Sequence, residues 1–350
     1  MFKKQSNKCL LGMSGGTDSS VSAMLLQDAG YRVTGVTFRF CDDENAEQHL
    51  RDAQETARKL DIEHIVYDAR ELFQQLVVDY FVQEYLAGRT PVPCTRCNIE
   101  LKWKLLARLA ETQHCKHIAM GHYCRIVEEN GYFYIVQGVD ADKDQSFFLW
   151  GLPQETLSKI IFPLGDLTKP EVRQIAAQRG FNRIAEKKDS IGVCFCPMDY
   201  RSFLRKKLPN HSFSKGNFID ETGTILGKHE GYPFYTVGQR RGLGLQLNNA
   251  VFVKEIHPAE NIVVLAPLKN LYKTSFSLQH YNLVRPTDFS TDFDTIVKIR
   301  YRKQATPCRI IVDNNNELTV KLAEPLEAIA PGQAAVFYRN NRVLGGGIIK

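Results

Sequence analysis

Apolar and polar positions along the first two hundred residues alternate between two periods. Lys8 to Met13 is a short, nearly unbroken apolar run of the length of a buried strand. From Ser19 to Ala29 the apolar residues fall at helical spacing, with Val21, Met24, Leu25 and Ala29 on one face. Tyr31 to Phe38 returns to β-branched residues and ends at the acidic CDDE. A second helix over Asn45 to Leu60 and a short strand over His64 to Tyr67 follow. Helices around Glu71 to Leu86 and Ile99 to Thr112 and a strand at His117 to Met120 complete the series. This rhythm predicts an α/β domain, an open doubly wound parallel sheet with helices on both faces.

The pattern changes after about Leu204. The basic stretch SFLRKKLPNHSFSKG reads as a linker. Asn217 to Leu265 carries short strands separated by Gly, His and Pro. From Leu271 to Lys350 short alternating strands recur between turn signals such as DNNNE and PGQ. The expected organisation is a catalytic domain over 1–205, a small central β-rich domain over 206–270 and a C-terminal β-barrel over 271–350. No internal repeat or low-complexity tract interrupts it.

Composition narrows the function classes only a little. At 350 residues, 43% hydrophobic and 24% charged, the chain has the make-up of a folded soluble protein of two or three domains. No run approaches a membrane span. The lysines and short apolar run at the start lead straight into a glycine loop, so they read as a first strand and not as a signal peptide. A cytoplasmic address follows. The net charge of +6 is compatible with a polyanionic partner without identifying one. Nine cysteines, an odd number in a reducing compartment, argue against a structural disulfide framework. Cys9, Cys115 and Cys308 lie in apolar or strand-like contexts and read as small buried hydrophobes.

The chemistry begins where the first strand ends. In LLGMSGGTDSSVSAMLL the segment Ser14 to Ser19 can wrap backbone N–H groups around phosphate at a helix N-terminus. It lacks the Gly-Lys-Ser/Thr of a Walker loop and the spacing of a dinucleotide loop. A strand followed by SGGxDS resembles the ATP pyrophosphatases, which cleave ATP between its α and β phosphates and use the adenylate to activate a carbonyl oxygen. Asp18 is a candidate ligand for Mg²⁺ on the pyrophosphate, with a plain helix cap as the alternative. Phe38, at the end of the second strand, is placed for an adenine, with core packing as the alternative.

Two cysteine motifs remain. RTPVPCTRCNIELKW sets Cys94 and Cys97 where a proline-stiffened loop enters a helix, with Arg96 beside Cys97. KKDSIGVCFCP carries Cys194 and Cys196, again near lysines. A helix N-terminus and neighbouring cations both favour a thiolate. Three chemistries compete. Cys194 can carry a persulfide that Cys97 attacks or resolves; Cys94, Cys97 and Cys194 can hold an iron–sulfur cluster with one open iron; or CxxC and CxC can form a structural zinc site, against which the missing second CxxC speaks.

Taken together, GMSGGTDSS, GRTPVPCTRCNIELKW, GHY at Gly121 to Tyr123, KDQSFFLW from Lys143, PLGDLTKPEVRQIA, KKDSIGVCF, GKHEGYPFYTVGQRRGLGL and KIRYRKQATPC resemble the tRNA-specific 2-thiouridylase family over nearly the whole chain. The resemblance implies an adenine nucleotide alpha hydrolase-like ATP pyrophosphatase domain, a small central domain and a C-terminal β-barrel. It implies 2-thiolation of the wobble uridine of tRNA, with ATP contacts from Gly12, Met13, Ser14, Gly15, Gly16, Thr17, Asp18, Ser19, Phe38 and Gly121. It implies tRNA contacts from Val92, Pro93, Cys94, Lys143, Asp144, Gln145, Arg300 and Tyr301. Cys97 matches the nucleophile and Cys194 the persulfide-bearing residue. ATP, Mg²⁺ and a [4Fe-4S] cluster on Cys94, Cys97 and Cys194 are the implied cofactors. The implied partners are a tRNA anticodon stem-loop and a sulfur donor such as a cysteine desulfurase or sulfur-relay protein, with the enzyme a monomer.

Two positions depart from the family pattern: Thr17 stands where Val is commoner, and Val92 where Asn is usual. Cys94 occupies a position that alternates between Asp and Cys. Arg240, Arg241, Arg300, Arg302 and Lys303 are candidates for tRNA phosphates, while a lone His122 reads as structural. An amidotransferase-type synthetase, or a zinc-containing RNA-binding protein, is the alternative.

Overall fold

A computed structural model describes residues 7–42, 44–187, 192–197, 199–289, 292–302, 305–313 and 315–350; of residues 44 and 45 it describes the backbone. Lys303 and the stretch 188–191 of the second cysteine motif lie outside the described residues. The chain divides into two units. One comprises residues 1–77, 94–191 and 340–343; the other comprises residues 78–93, 192–339 and 344–350.

The first unit is built on β1 (Lys8–Gly12), α1 (Thr17–Asp28), β2 (Arg32–Arg39), α2 (Glu44–Lys59), β3 (Glu63–Asp68) and α3 (Arg70–Phe73). The helix expected over 71–86 is not one α-helix. A π-helical turn over Gln74–Asp79 follows α3, and α4 (Tyr80–Leu86) belongs to the second unit. α5 (Pro93–Cys97) passes through a second π-helical turn, Asn98–Lys102, into α6 (Trp103–Thr112). Then come β4 (His117–Met120), β5 (Cys124–Glu129), β6 (Tyr132–Gln137), α7 (Gln154–Leu157), β7 (Ile160–Ile161), α8 (Lys169–Gln178) and α9 (Asn182–Ala185).

The sheet has the order β3-β2-β1-β4-β7, and all of its pairings are parallel. β1 is its centre: Leu10 faces Thr34 on one side and Ile118 on the other, and Cys9, Leu10 and Leu11 are fully buried. Ala23 and Leu26 of α1 and Ala53 of α2 pack with Cys9, Leu11 and Val33 on one face. α6 packs on β1 and β4, and its Trp103, Leu105 and Leu106 are buried.

α1 is buried on more than the face its apolar spacing predicts. Val21 and Met24 meet Leu164, Val172 and Ala176, so a second layer containing α8 covers the side away from the sheet. Its small Ser and Ala residues fit this double burial, and Ala29 alone of the expected face is exposed. The β5–β6 hairpin breaks the expected β-α rhythm. Its turn places Asn130 and Gly131 at φ 52° and 78°, the left-handed pair that a two-residue hairpin favours.

The second unit contains α4, α10 (Tyr200–Lys207), β8 (Gly216–Ile219), β9 (Ile225–His229), β10 (Phe252–His257) and β11 (Ile262–Ala266), the strands forming a sheet of order β10-β11-β8-β9. It continues with β12 (Tyr272–Leu283), β13 (Thr295–Lys298), β14 (Thr306–Val312), β15 (Leu318–Glu327), β16 (Ala334–Arg339) and β17 (Arg342–Ile349). These run β12-β15-β14-β13-β16-β17, and Leu278 of β12 also pairs with Ile349 of β17, which closes the barrel.

The first part of the basic stretch read as a linker, residues 202–207, is the end of α10. Tyr200, Phe203 and Leu204 recur at i, i+3 and i+4, and they join Phe81 and Tyr85 of α4 in a core with Phe218, Phe234 and Val263. The lysines that suggested a linker occupy its exposed last turn, where cations suit the helix dipole. If α10 holds this core, Leu204→Ala should lower stability by about 2–5 kcal/mol in urea unfolding, while Lys206→Ala should change it by less than about 0.5 kcal/mol.

Candidate active site

Strand order reverses at β1, with β2 on one side and β4 on the other. Ligands of open α/β sheets bind beyond the carboxyl ends of the strands at such a reversal. The loop from Met13 to Gly16 leaves β1 at this point. Its course is fixed by short bonds to β2: Met13 N–H donates to the Val36 carbonyl at 2.7 Å, and Thr37 Oγ1 donates to the Met13 carbonyl at 2.8 Å. Gly15 has φ +68°, and a β-carbon there would lie 2.2 Å from the His49 carbonyl of α2, so only glycine fits.

The hydroxyls close the turn. Ser14 N–H donates to Ser19 Oγ at 3.2 Å, and Ser20 Oγ donates to the Gly16 carbonyl at 2.8 Å. Thr17 Oγ1 donates to the Ile184 carbonyl at 2.6 Å, a tie to α9 that the commoner valine cannot make. Gly121, after β4, faces the start of α1: a β-carbon would approach the Asp18 carbonyl carbon to 2.9 Å and the Ser19 nitrogen to 3.0 Å. Gly12 to Ser19 and Gly121 therefore converge on one crevice.

Two lysines missed in the sequence reach this loop. Lys169 Nζ and Tyr123 Oη both lie 2.7 Å from Asp18 Oδ1. Lys187 Nζ donates to the Gly15 carbonyl at 3.1 Å and to Asp52 at 2.8 Å. Burial alone would raise the Asp52 carboxyl. Hydrogen bonds from Lys187 and Gln48, with the charges of Lys187 and Arg183, outweigh it and hold the carboxyl below the usual carboxylate range. The only sequence signals were the PLGDLTKPEV and KKDS motifs, which mark no role for a lysine on the loop.

Phe38 is half-buried at the end of β2 and stacks with Phe40 at 6.0 Å, with Tyr67 edge-on at 6.1 Å. Lys102 Nζ lies 6.0 Å from the Phe40 ring. His122 is buried against Trp103, 5.6 Å between ring centroids. Burial, with the nearby Lys102 charge, pushes its pKa down to about 3, so it is neutral near pH 7 and supplies no imidazolium.

The loop from Asp140 to Gln145 is tied to Tyr123. Tyr123 and Asp144 form a parallel bridge, Tyr123 N–H donates to Gln145 Oε1 at 3.3 Å, and Gln145 N–H donates to the Tyr123 carbonyl at 3.3 Å. Asp144 is 5% exposed, and its carboxylate accepts from Gln137, Gly138 and both donors of Ser146. That carboxylate is an internal anchor of the loop, while Lys143 is half-buried. In the second unit Val92 is half-buried and Pro93 buried, and Arg300 donates to the Ala328 carbonyl at 3.1 Å. Tyr301 lies beneath Arg302 at 5.7 Å, and Arg240 and Arg241 are exposed.

The cysteines separate by burial. Cys9 and Cys308 are fully buried, and burial pushes each thiol up to about 12, helped by Cys115 and Asp294 respectively. Burial also raises Cys115, Cys124 and Cys196. Cys94 and Cys194 are exposed, and Cys97 is 6% exposed within the continuous helical run that begins at Pro93. Arg96 beside it faces the Leu76 carbonyl and Glu100. Along the same run Thr95 Oγ1, Asn98 Oδ1 and Trp103 Nε1 are buried without a hydrogen-bond partner, the kind of atoms that a bound polar molecule or ordered water satisfies.

Cys194 sits in a tight turn closed by the Cys196 N–H to Val193 carbonyl bond. Phe195 anchors that turn between Phe81 and Phe203, at 5.2 and 5.3 Å. Among the described residues no three His, Cys, Asp or Glu side chains gather closely enough to hold a metal ion.

The chain matches the profile of a tRNA methyl transferase HUP domain over residues 7–198, of a tRNA methyl transferase PRC-barrel domain over 201–267, and of an aminomethyltransferase β-barrel domain over 273–349. It is 58% identical over 346 residues to tRNA-specific 2-thiouridylase MnmA 2 of Phocaeicola vulgatus, covering 99% of each chain. It is 54% identical over 356 residues to tRNA-specific 2-thiouridylase MnmA 1 of Bacteroides fragilis, covering 99% of this chain and 98% of that one. To MnmA 3 of P. vulgatus it is 41% identical over 358 residues, covering 99% and 96%.

Two outcomes follow from the burial of these groups. At pH 8, brief alkylation followed by peptide mass mapping should label Cys94 and Cys194 and spare Cys9, Cys124 and Cys308 until the protein unfolds. His122, depressed when folded, adds stability that is present above its unfolded pKa of 6.5 and is lost as pH falls toward about 3. His122→Leu should therefore flatten the acid decline of stability below pH 6.5 by up to about 1.4 kcal/mol per pH unit in denaturant titrations.

Proposed function

The chain belongs to the tRNA-specific 2-thiouridylase family, and from that premise we propose that this enzyme thiolates wobble uridine 34 of tRNA by adenylating C2–O and then exchanging oxygen for sulfur. The observation that carries the ATP half is the SGGTDS loop at the strand-order reversal, with Gly121 pressed against the same helix N-terminus. Gly12 to Ser19 hold the phosphates, and Phe38 the adenine. ATP arrives as its magnesium complex, for which Asp18 supplies hard carboxylate oxygen. Adenylation joins the uracil C2 oxygen to the α-phosphorus and releases pyrophosphate, so that AMP becomes the leaving group.

Sulfur follows as a persulfide. A cysteine desulfurase or relay protein loads Cys194, which is exposed and held on a turn that Phe195 anchors. The terminal persulfide sulfur attacks C2 and expels AMP. The Cys97 thiolate then attacks the Cys194 sulfur, which leaves a Cys97–Cys194 disulfide and the 2-thiouracil; an external thiol reduces the disulfide. Lys143, Gln145, Arg300 and Tyr301 contact the tRNA, with Val92, Pro93 and Cys94 beside the target base. Asp144 contributes by shaping its loop. Among the described residues no helix is long and apolar enough to cross a membrane.

Among the described residues no three His, Cys, Asp or Glu side chains gather to hold a zinc ion or a [4Fe-4S] cluster, and the persulfide route needs neither.

Cys194→Ser should lower tRNA thiolation at least about 1,000-fold, read by mass analysis of nucleosides, with tRNA-dependent release of pyrophosphate from ATP retained. Full thiolation by that variant removes the sulfur-carrier role; loss of both activities removes the separation of adenylation from sulfur transfer.

A further inference from the structure

A phosphate loop without the Walker lysine must find its cation elsewhere. Lys169 comes from a helix 151 residues beyond Asp18, yet its ammonium lies 2.7 Å from that carboxylate, beside the Tyr123 hydroxyl on the same oxygen. Stability does not ask for a lysine there. It is the first residue of α8, where the helix dipole disfavours a cation, and its side chain is only 8% exposed. Replacing both partners of a buried ion pair by apolar side chains is often neutral or stabilising, and removing one alone is costly where it strands a buried charge. Asp18 is 35% exposed and keeps water if its partner is removed.

The position is nonetheless strongly specified. Thr168 and Glu171 form a capping box around the start of α8, and Lys169 N–H donates to Asp140 Oδ2 at 2.8 Å. Asp140 Oδ1 in turn accepts the backbone N–H of Asp142 and Lys143. The ammonium is thus aimed at the glycine loop by the loop that carries Lys143 and Gln145.

We propose that Lys169 is a nucleotide-binding residue: on arrival of ATP its ammonium moves from Asp18 to a phosphate oxygen, and Asp18 is released toward the cation that accompanies the nucleotide. This rests on the reading of SGGTDS as the ATP loop. The exchange keeps charge balanced. In the empty site Lys169 offsets Asp18; in the filled site it offsets phosphate and the divalent ion offsets Asp18. No covalent bond changes.

Calorimetric titration of the full-length protein in Mg²⁺ and without tRNA, with ATP and with adenosine, tests it. Lys169→Met should weaken ATP about 10- to 100-fold through loss of a charge-assisted bond. Adenosine affinity and the melting temperature should stay near wild type, and Lys169→Arg should restore most of the ATP affinity. Lys169→Gln, which keeps a donor for Asp18 without the charge, should lose ATP affinity as the methionine variant does and guards against a folding defect in the latter. Unchanged ATP affinity in both neutral variants, or equal weakening of ATP and adenosine, overturns the proposal and leaves Lys169 as structural support for Asp18. If wild type binds neither ligand, the ATP reading itself falls and this inference with it.

Discussion

A parallel sheet that reverses its strand order leaves one strand end with no crossing connection above it. In this chain that strand is β1, flanked by β2 and β4. The other features of the first unit's site serve this opening. Met13 is pinned by β2 so that the loop departs at a fixed angle. Gly15 and Gly121 are the two places where a side chain would close the gap, one against α2 and the other against α1. Backbone N–H groups at such an opening can meet an anion with no side chain in between, and that is why glycine, serine and a helix start recur in such sites.

The same economy of space governs the sulfur chemistry. A thiol surrounded by apolar atoms resists ionisation, and burial raises five of the nine, Cys9, Cys115, Cys124, Cys196 and Cys308. Cys9 and Cys308 line strands whose packing needs a small apolar side chain, and burial keeps them protonated. Cys194 is in the opposite environment, with the aromatic side chain next to it sunk into a core and its own sulfur left in solvent. Packing at Phe195 and exposure at Cys194 are two sides of one turn.

Much of this was legible from residue order because the signals were local. SGGTDS after an apolar strand is read from neighbouring residues, and so are the β1–β4 strands. Lys169 and Lys187 were not legible. Each is an ordinary lysine beside a helix, and each becomes part of the site only because topology returns it to a loop more than 150 residues earlier. Asp144 failed in the other direction. A charged residue in a polar motif suggests a surface role, yet four donors from its own loop and hairpin consume the carboxylate. α10 was hidden by its lysines, whose charge outweighed the three apolar positions that make it a helix. The two π-helical turns give no signal in single-residue propensities.

The most consequential residue is one that the motif GHY displays without explaining. Tyr123 holds Asp18 through its hydroxyl, while its backbone pairs with Asp144 and Gln145. Lys169 repeats the pattern, with its ammonium on Asp18 and its N–H on Asp140. Two independent connections therefore run between the nucleotide loop and the 140–145 loop, and each is a single residue long. A rearrangement of either loop that moves Tyr123 or Lys169 changes the environment of Asp18 directly. Thermodynamic reciprocity then requires that if a ligand at one loop changes affinity at the other, the second ligand changes affinity at the first by the same factor. An enzyme that must not spend ATP without tRNA in place has reason to make that path as short as two side chains.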